Sequence, residues 1–415
     1  MQLNELCDFI SDQCDPTTSG ANVYVGLEHI DSGAFQLKRH GVPDEVRSSK
    51  SRFRKGDVLY GKLRPYLDKA VLADRDGICS TDILVFRPKP DVCAAYLLGL
   101  IHSPQFLNHA ISTTHGVNHP RTSWAGLSEF EWAVPAKREQ EKIAAVLWKV
   151  QRAIEVEDKL IATARELKQS AMRQLFTRGL RGESQKETNY GALPDSWPTQ
   201  PLGLCCVVQT GVTKGRKIPP DEALEVPYLR VANVQDGHLD LREMKTIIIR
   251  RDELEGYLLQ DGDVVLTEGG DFDKLGRGFI WRGEIPNCVH QNHIFAVRAN
   301  RAVLLPEFLA YLVQSPYGRS YFLTVAHKTT NLACINATKL KAFPVPLPPR
   351  DEQPERDEQR EIVSILETID RKISLHERKR ATLQELFKTL LHQLMTGQIR
   401  VHDLDIDTTD VEVKV

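Results

Sequence analysis

The feature that most constrains this chain is a helical pattern that occurs twice. Residues 139–176 carry an apolar residue every three to four positions, so that Ile143, Leu147, Val150, Ile154 and Ile161 fall on one side of a helix. Residues 359–394 repeat the pattern: Ile362, Leu366, Ile369 and Ile373 stand at a constant offset of 219 from the first four of that series. A stripe of this kind must be buried against something, and a matched helix elsewhere in the chain supplies the partner. Each helix follows a long block with no helical periodicity of that length.

Those blocks are themselves copies. YVGLEHIDSG at 24–33 aligns with YLRVANVQDG at 228–237, and Gly56-Asp57-Val58 with Gly262-Asp263-Val264. ILVFR at 83–87 answers IFAVR at 294–298, Ser103-Pro104 answers Ser315-Pro316, and Val134-Pro135 answers Val345-Pro346. The offsets creep from 204 to about 212, as a duplicated domain with small insertions would give. Within each block, short apolar runs bounded by Gly, Asp, Pro and Ser read as strands, with helices expected over 94–102 and 306–314. The expected order is a first domain (1–138), a central long helix (139–182), a polar, proline-containing linker (183–201), a second domain (202–350), a C-terminal long helix (351–398) and a polar, acidic tail (399–415). The fold class is α+β with a pseudo-two-fold internal repeat. Two unlike copies in one chain suit a target with two unlike halves. Helices of about 38 residues, at 1.5 Å each, would hold the readers apart on a scale of roughly 57 Å.

Composition narrows the class further. At 415 residues, 41% hydrophobic and 27% charged, the chain is ordinary for a soluble protein of two or three domains. No apolar run reaches the length of a membrane span, and the N-terminal MQLNELCDFISDQCD lacks the pattern of a signal peptide. The 8 cysteines form no CxxC pair and read as reduced thiols of a cytoplasmic protein. A net charge of −2 places any nucleic-acid affinity in local patches.

At this point the motifs resemble a known family, the specificity (S) subunits of type I restriction-modification systems. In the first block these are VGLEHID, FRKGDVLYGKLRPYLDKA (53–70) and GICSTDILVFRP (77–88). LTEGGDFDKLGRG (266–278), the proline-then-EQ passage into each helix and LMTGQIRV (394–401) complete the set. The resemblance covers nearly the whole chain. It implies two globular α/β target-recognition domains separated by two long helices that form an antiparallel coiled coil. Each domain would bind half of a split, asymmetric double-stranded DNA sequence. The helices would carry two modification (methyltransferase) subunits, joined by a restriction/translocase subunit. The family's S subunit is non-catalytic and carries no cofactor, so S-adenosylmethionine, ATP and Mg belong on the partners. The chain departs from strict repetition in two places: the proline-to-EQ segment is longer in the second copy, and only the second copy has a P-x-x-W, at Pro194–Trp197.

Candidate DNA contacts follow from chemistry. Between residues 38 and 69 ten bases face four acids, and Lys62, Arg64 and Lys69 lie in that stretch. Lys214, Arg216 and Lys217 follow a glycine in QTGVTKGRK; such clusters neutralise phosphates, although charge runs are often simply solvated surface. Base edges need donors and acceptors together, which His115, Asn118, His119 and Arg121 offer in THGVNHPRTSW. Lys328 and Asn331 offer them in AHKTTNL, and Asp271, Lys274 and Arg277 among glycines in GGDFDKLGRG. Three other patterns carry little. Pro220-Asp221 with Glu243-Met244-Lys245 imitates a nuclease metal site, but the pattern is permissive. Cys288, His290 and His293 lack a fourth metal ligand at usual spacing, and the glycine clusters make no dinucleotide fingerprint.

The seven-residue series also predicts a contact. Continued from Ile143 and Val150 it reaches Glu157, and from Ile362 and Ile369 it reaches His376. Both helices therefore carry a polar residue near their midpoints, and an antiparallel pair would bring Glu157 to His376 or the following Arg380. The competing expectation is a phase shift through Leu160 that turns both to solvent. Two other functions stay open at this level: a coiled-coil scaffold without a DNA role, and a nuclease or methyltransferase fused to its own recognition domains.

Overall fold

The computed structural model describes residues 1–270, 275–328, 333–348 and 357–409. The chain divides into two compact units, one made of 1–161 and 375–415, the other of 162–374. Each unit thus holds one of the two repeated domains together with part of each long helix.

In the first unit a four-stranded antiparallel sheet runs in the order Cys7–Ile10, Ile83–Pro88, Val58–Gly61, Ala70–Leu72. Strand Val58–Gly61 is buried on both faces, so alternate side chains serve two cores. Val58 and Tyr60 join the cluster beneath helix Ala94–Ile101, while Leu59 joins the cluster shared with a second sheet. The second unit repeats this. Its sheet runs Cys206–Thr210, Ile294–Ala299, Val264–Thr267, Gly278–Ile280, with Val264 and Leu266 on one side and Val265 on the other.

The duplicated motifs have duplicated reasons. Gly56 and Gly262 take φ of 88° and 90° in tight turns, a region glycine enters without steric cost. The aspartate that follows accepts a backbone N–H, from Arg54 or Gln260, at 2.8 Å. The same carboxylate takes both ends of an arginine fork: Arg87 on Asp57 at 2.8 and 2.8 Å, Arg298 on Asp263 at 2.8 and 2.7 Å. Ser103 and Ser315 cap helices that begin with proline, accepting from Phe106 N and Gly318 N.

The second sheets differ. In the first unit Lys50–Phe53 pairs antiparallel with Gly77–Cys79, which pairs parallel with Tyr24–Val25. In the second unit Ala223–Leu229 keeps the parallel pairing, to Val289–His290, but carries Lys245–Arg250 on its other side.

The central helix runs Lys137–Arg178 and the C-terminal helix Glu358–Met395. Within each unit they run antiparallel, as the order of their contacts shows. In the first unit Glu139 holds Arg400 while Glu157 meets His376; in the second Lys168 meets Asp370 while Leu180 N donates to Glu358. The helix starts are built alike. Gln140 accepts from Cys93 N at 2.9 Å, and Gln359 accepts from Leu305 N at 2.9 Å. The neighbouring glutamate in each case secures the chain leaving the other helix: Glu139 binds Arg400 through two 2.7 Å hydrogen bonds, and Glu358 accepts from Leu180 N at 3.0 Å. The Arg400 guanidinium holds the Glu139 carboxyl below its ordinary range.

The expected linker and the described part of the expected tail both place apolar residues in the adjoining cores. Residues 183–201 contain the hairpin Gln185–Thr188 and Gly191–Pro194, and they bury Leu193 and Trp197 completely. The tail returns to the start of the central helix, where Val401 is buried, Ile406 packs on the core, and Lys142 Nζ donates to His402 O and Leu404 O at 2.6 Å each. Polar composition hid both, because a few apolar anchors suffice to dock a short segment. Among the described residues, no helix is long and apolar enough to cross a membrane.

Candidate nucleic-acid interface

In the first domain the structure gathers two separately predicted stretches. Arg64 N donates to Pro120 O at 2.7 Å, Thr122 N donates to Lys62 O at 3.1 Å, and Leu63 bridges to Arg121. His115 pairs with Arg121 across a short hairpin whose tip is Gly116 to Pro120. Lys62 and Arg64 therefore share a surface with His115, Asn118, His119 and Arg121. His115, Asn118, His119 and Arg121 are exposed, and Val117 at the tip is 97% exposed. Arg64 sits at φ 53°, a region costly for a non-glycine residue. That turn and the one at Asp68 (φ 48°) bracket Pro65–Leu67 and leave Tyr66 half exposed.

Not every predicted residue belongs to this surface. Lys69 Nζ donates to Leu27 O at 2.6 Å and is half-buried, so it braces the domain and has little freedom to reach a phosphate. Arg121 is held by Asp82 at 3.0 Å through Nε and 3.4 Å through Nη2.

The second domain rebuilds the same place. Gly269 and Gly270 pair with Cys334 and Ala333, which pair with His327 and Lys328. Arg277 is half-buried, with Nη1 3.5 Å from Gln235 Oε1. Lys214, Arg216 and Lys217 form an exposed basic loop that follows Val212, which is paired with Gln291. Lys214 Nζ lies 5.3 Å from the centre of the Tyr228 ring, and Arg216 is clamped on Glu253 at 2.9 and 2.7 Å. That carboxylate already neutralises the guanidinium, leaving Lys217 as the more available charge of the three. Asp271, Lys274 and Asn331 lie outside the described residues, as does the side chain of Lys328.

The metal-like patterns resolve into ordinary structure. His290 is buried with Nδ1 2.9 Å from Ile294 O, and burial depresses its basicity; His293 faces Glu268 at 2.7 Å. Glu243 lies beside Arg230 and Lys245, and no group of three metal-binding side chains occurs among the described residues.

On the helices, Ile143, Leu147, Ile154 and Ile161 are buried and Val150 is partly so; Ile362, Leu366 and Ile369 are buried and Ile373 is half-buried. The upper part of the stripe packs on the first domain as well as on the facing helix, for Leu147, Leu391 and Met395 all surround Gly99. His376 Nδ1 lies 2.7 Å from Glu157 Oε2, and Lys379 Nζ lies 2.6 Å from Oε1. Arg380 pairs with Asp158 at 3.2 Å. The Lys379 ammonium first, then His376, lowers the Glu157 carboxyl below its ordinary range.

The profile of the type I restriction modification DNA specificity domain matches this chain twice, over residues 3–166 and 197–385. The chain belongs to that family. Among curated relatives, the putative type I restriction enzyme MjaX specificity subunit of Methanocaldococcus jannaschii is 24% identical over 222 residues. That match takes in 53% of this chain and 50% of the relative, so it spans half of the relative's length. The MjaVIII specificity subunit of the same organism is 25% identical over 352 residues, 81% of this chain and 77% of the relative. The crystal structure of the type I restriction-modification S subunit from M. genitalium superposes with a TM-score of 0.56 at 14% identity, covering 95% of each chain. At that identity the likeness speaks for the fold.

Motif reading missed two charged residues on these candidate segments, Asp82, which holds Arg121, and Glu268, which faces His293. Both were within reach of the repeat. Extending the ILVFR/IFAVR alignment one residue upstream pairs Asp82 with His293, and extending Gly-Asp-Val downstream pairs Lys62 with Glu268.

Proposed function

We propose that this chain is the DNA sequence-recognition subunit of a type I restriction-modification complex, and that its two domains read the unlike halves of one split target. The observation that carries this reading is the duplicated frame whose solvent-facing side chains differ. Shared backbone hydrogen bonds hold Lys62 and Arg121 in the first domain and Glu268 and Cys334 in the second. A common scaffold with divergent base-facing chemistry is what reading two different half-sites requires.

The helices would seat two methyltransferase subunits and, through them, the restriction subunit. In the first unit Val156 and Leu160, four apart on one helix face, are solvent-exposed, as are Leu375 and Leu386 on the other helix. In the second unit Leu167 and Ile365 are exposed likewise. Exposed apolar side chains on otherwise charged helices leave room for protein partners. The chain itself would catalyse nothing, with S-adenosylmethionine, ATP and Mg bound by those partners.

The test is to reconstitute the chain with its methyltransferase and map methylated sites on a plasmid library. Methylation confined to one two-part sequence, with affinity that falls steeply as salt rises, is the expected result. Salt-insensitive or absent DNA binding would favour a scaffold instead.

A further inference from the structure

The two domains hold one point of their surfaces on the same hydrogen-bonded frame and fill it with opposite chemistry. In the first, Lys62 N donates to Asp82 O at 2.9 Å, Lys62 O accepts from Thr122 N at 3.1 Å, and Leu63 lies opposite Arg121. In the second, Glu268 N donates to His293 O at 2.9 Å, Glu268 O accepts from Ile335 N at 2.9 Å, and Gly269 lies opposite Cys334. Lys62 and Glu268 are therefore equivalent, as are Asp82 and His293, and Arg121 and Cys334.

Each domain places one held charge at this point. Asp82 takes Nε and one N–H of Nη2 of the Arg121 guanidinium, and Nη1 lies 3.5 Å from His119 O; the second N–H on each terminal nitrogen can still fork onto two acceptors. In the second domain His293 Nδ1 holds one oxygen of Glu268 at 2.7 Å. The other oxygen is an acceptor with no donating capacity of its own. All four side chains retain exposure: 45% and 29% for Arg121 and Asp82, 31% and 55% for Glu268 and His293.

We propose that this point is the base-reading position of each domain. Arg121 reads a guanine through O6 and N7, and Glu268 reads an exocyclic amine, N4 of cytosine or N6 of adenine. Asp82 and His293 act as positioning residues. The inference rests on the DNA-recognition reading above. A carboxylate facing DNA is repelled by phosphates and by guanine O6 and N7. In the major groove only the exocyclic amines of cytosine and adenine donate, so a fixed Glu268 is favourable at one of those and unfavourable elsewhere. The first domain's arginine prefers the reverse, the two adjacent acceptors of guanine.

The experiment uses the complete complex with its methyltransferase and maps methylated sequences for Glu268→Gln, Arg121→Ala, Asp82→Ala, His293→Ala and His293→Gln. Glu268→Gln should relax one base pair in a single half of the target, with discrimination there falling about ten-fold or more. Whether the relaxed pair is C·G or A·T identifies the amine. Arg121→Ala should relax a G·C pair in the other half, and Asp82→Ala should blur that same pair. His293→Ala should blur the pair read by Glu268, whereas His293→Gln, which still donates, should retain it. Unchanged discrimination in Glu268→Gln and Arg121→Ala overturns the proposal. So does a uniform loss of affinity on every sequence with a lower salt slope, the mark of phosphate contact. A wild-type complex that methylates no split sequence would instead overturn the recognition reading itself.

Discussion

The two recognition domains agree where the backbone is supported and part where it is exposed. Their principal sheets have the same strand order, their Gly-Asp turns the same φ, and their buried aspartates the same arginine fork. Their surfaces share little. The first concentrates bases on the 62–64 and 115–121 segments, while the second puts Glu268 and Cys334 at the matching place and its bases on the 214–217 loop. A buried carboxylate has one low-energy solution and tolerates little change, whereas a solvated side chain can vary at small cost to the fold. Duplication kept the frame and let the solvent-facing side chains diverge.

The largest expected effect tests the shared frame. Asp57→Ala and Asp263→Ala each remove a carboxylate that is almost fully buried and accepts both an arginine fork and a backbone N–H. Each should cost about 3 kcal/mol, read by urea denaturation as a loss in the unit that carries the change. Costs that differ by more than about 1 kcal/mol would show that the two frames are not equivalent in energy.

A smaller effect tests the divergent surface. Lys217→Ala in the second domain should lower the slope of log affinity against log salt by about 0.9, one phosphate's share. Arg216→Ala should change it less, because Glu253 already neutralises that guanidinium. Equal changes would mean that DNA displaces Glu253.

The smallest contrasts the helix contacts of the two units. In the first, the carboxylate comes from the central helix, Glu157, and meets His376 and Lys379; in the second it comes from the C-terminal helix, Asp370, and meets Lys168 and the Tyr311 hydroxyl. The folded-state pKa of Glu157 is depressed. Its contribution is therefore present above the unfolded carboxylate range and lost as pH falls through the folded value. Glu157→Gln should accordingly unfold more readily than the parent near neutral pH, and the gap in denaturation midpoint should close under acid. A gap that stays constant with pH would assign the effect to packing alone.

Periodicity and duplication were legible in the residues. The seven-residue arithmetic that reached Glu157 and His376 needs only the helix repeat and two antiparallel partners, and the two groups lie 2.7 Å apart. The Gly-Asp-Val and Ser-Pro echoes marked turns and helix starts because φ and capping demands act locally. Lys69 was a different matter: a lysine among other bases reads as a phosphate contact until the fold shows its ammonium on Leu27 O. Residues 183–201 read as a linker because their polar majority outweighs Leu193 and Trp197, whose burial depends on surfaces far away in the chain.

The sequence determined a doubled α+β protein with two matched helices, since both are written in local spacing, and its motifs resemble one family. Only the tertiary structure decided which of the candidate charges stay exposed and which brace the domains. It set Asp82 beside Arg121 and His293 beside Glu268, and it clamped Arg216 on Glu253. Those pairings join residues about 25 to 40 positions apart, and it is the packing of separate strands and loops that brings them within hydrogen-bond reach.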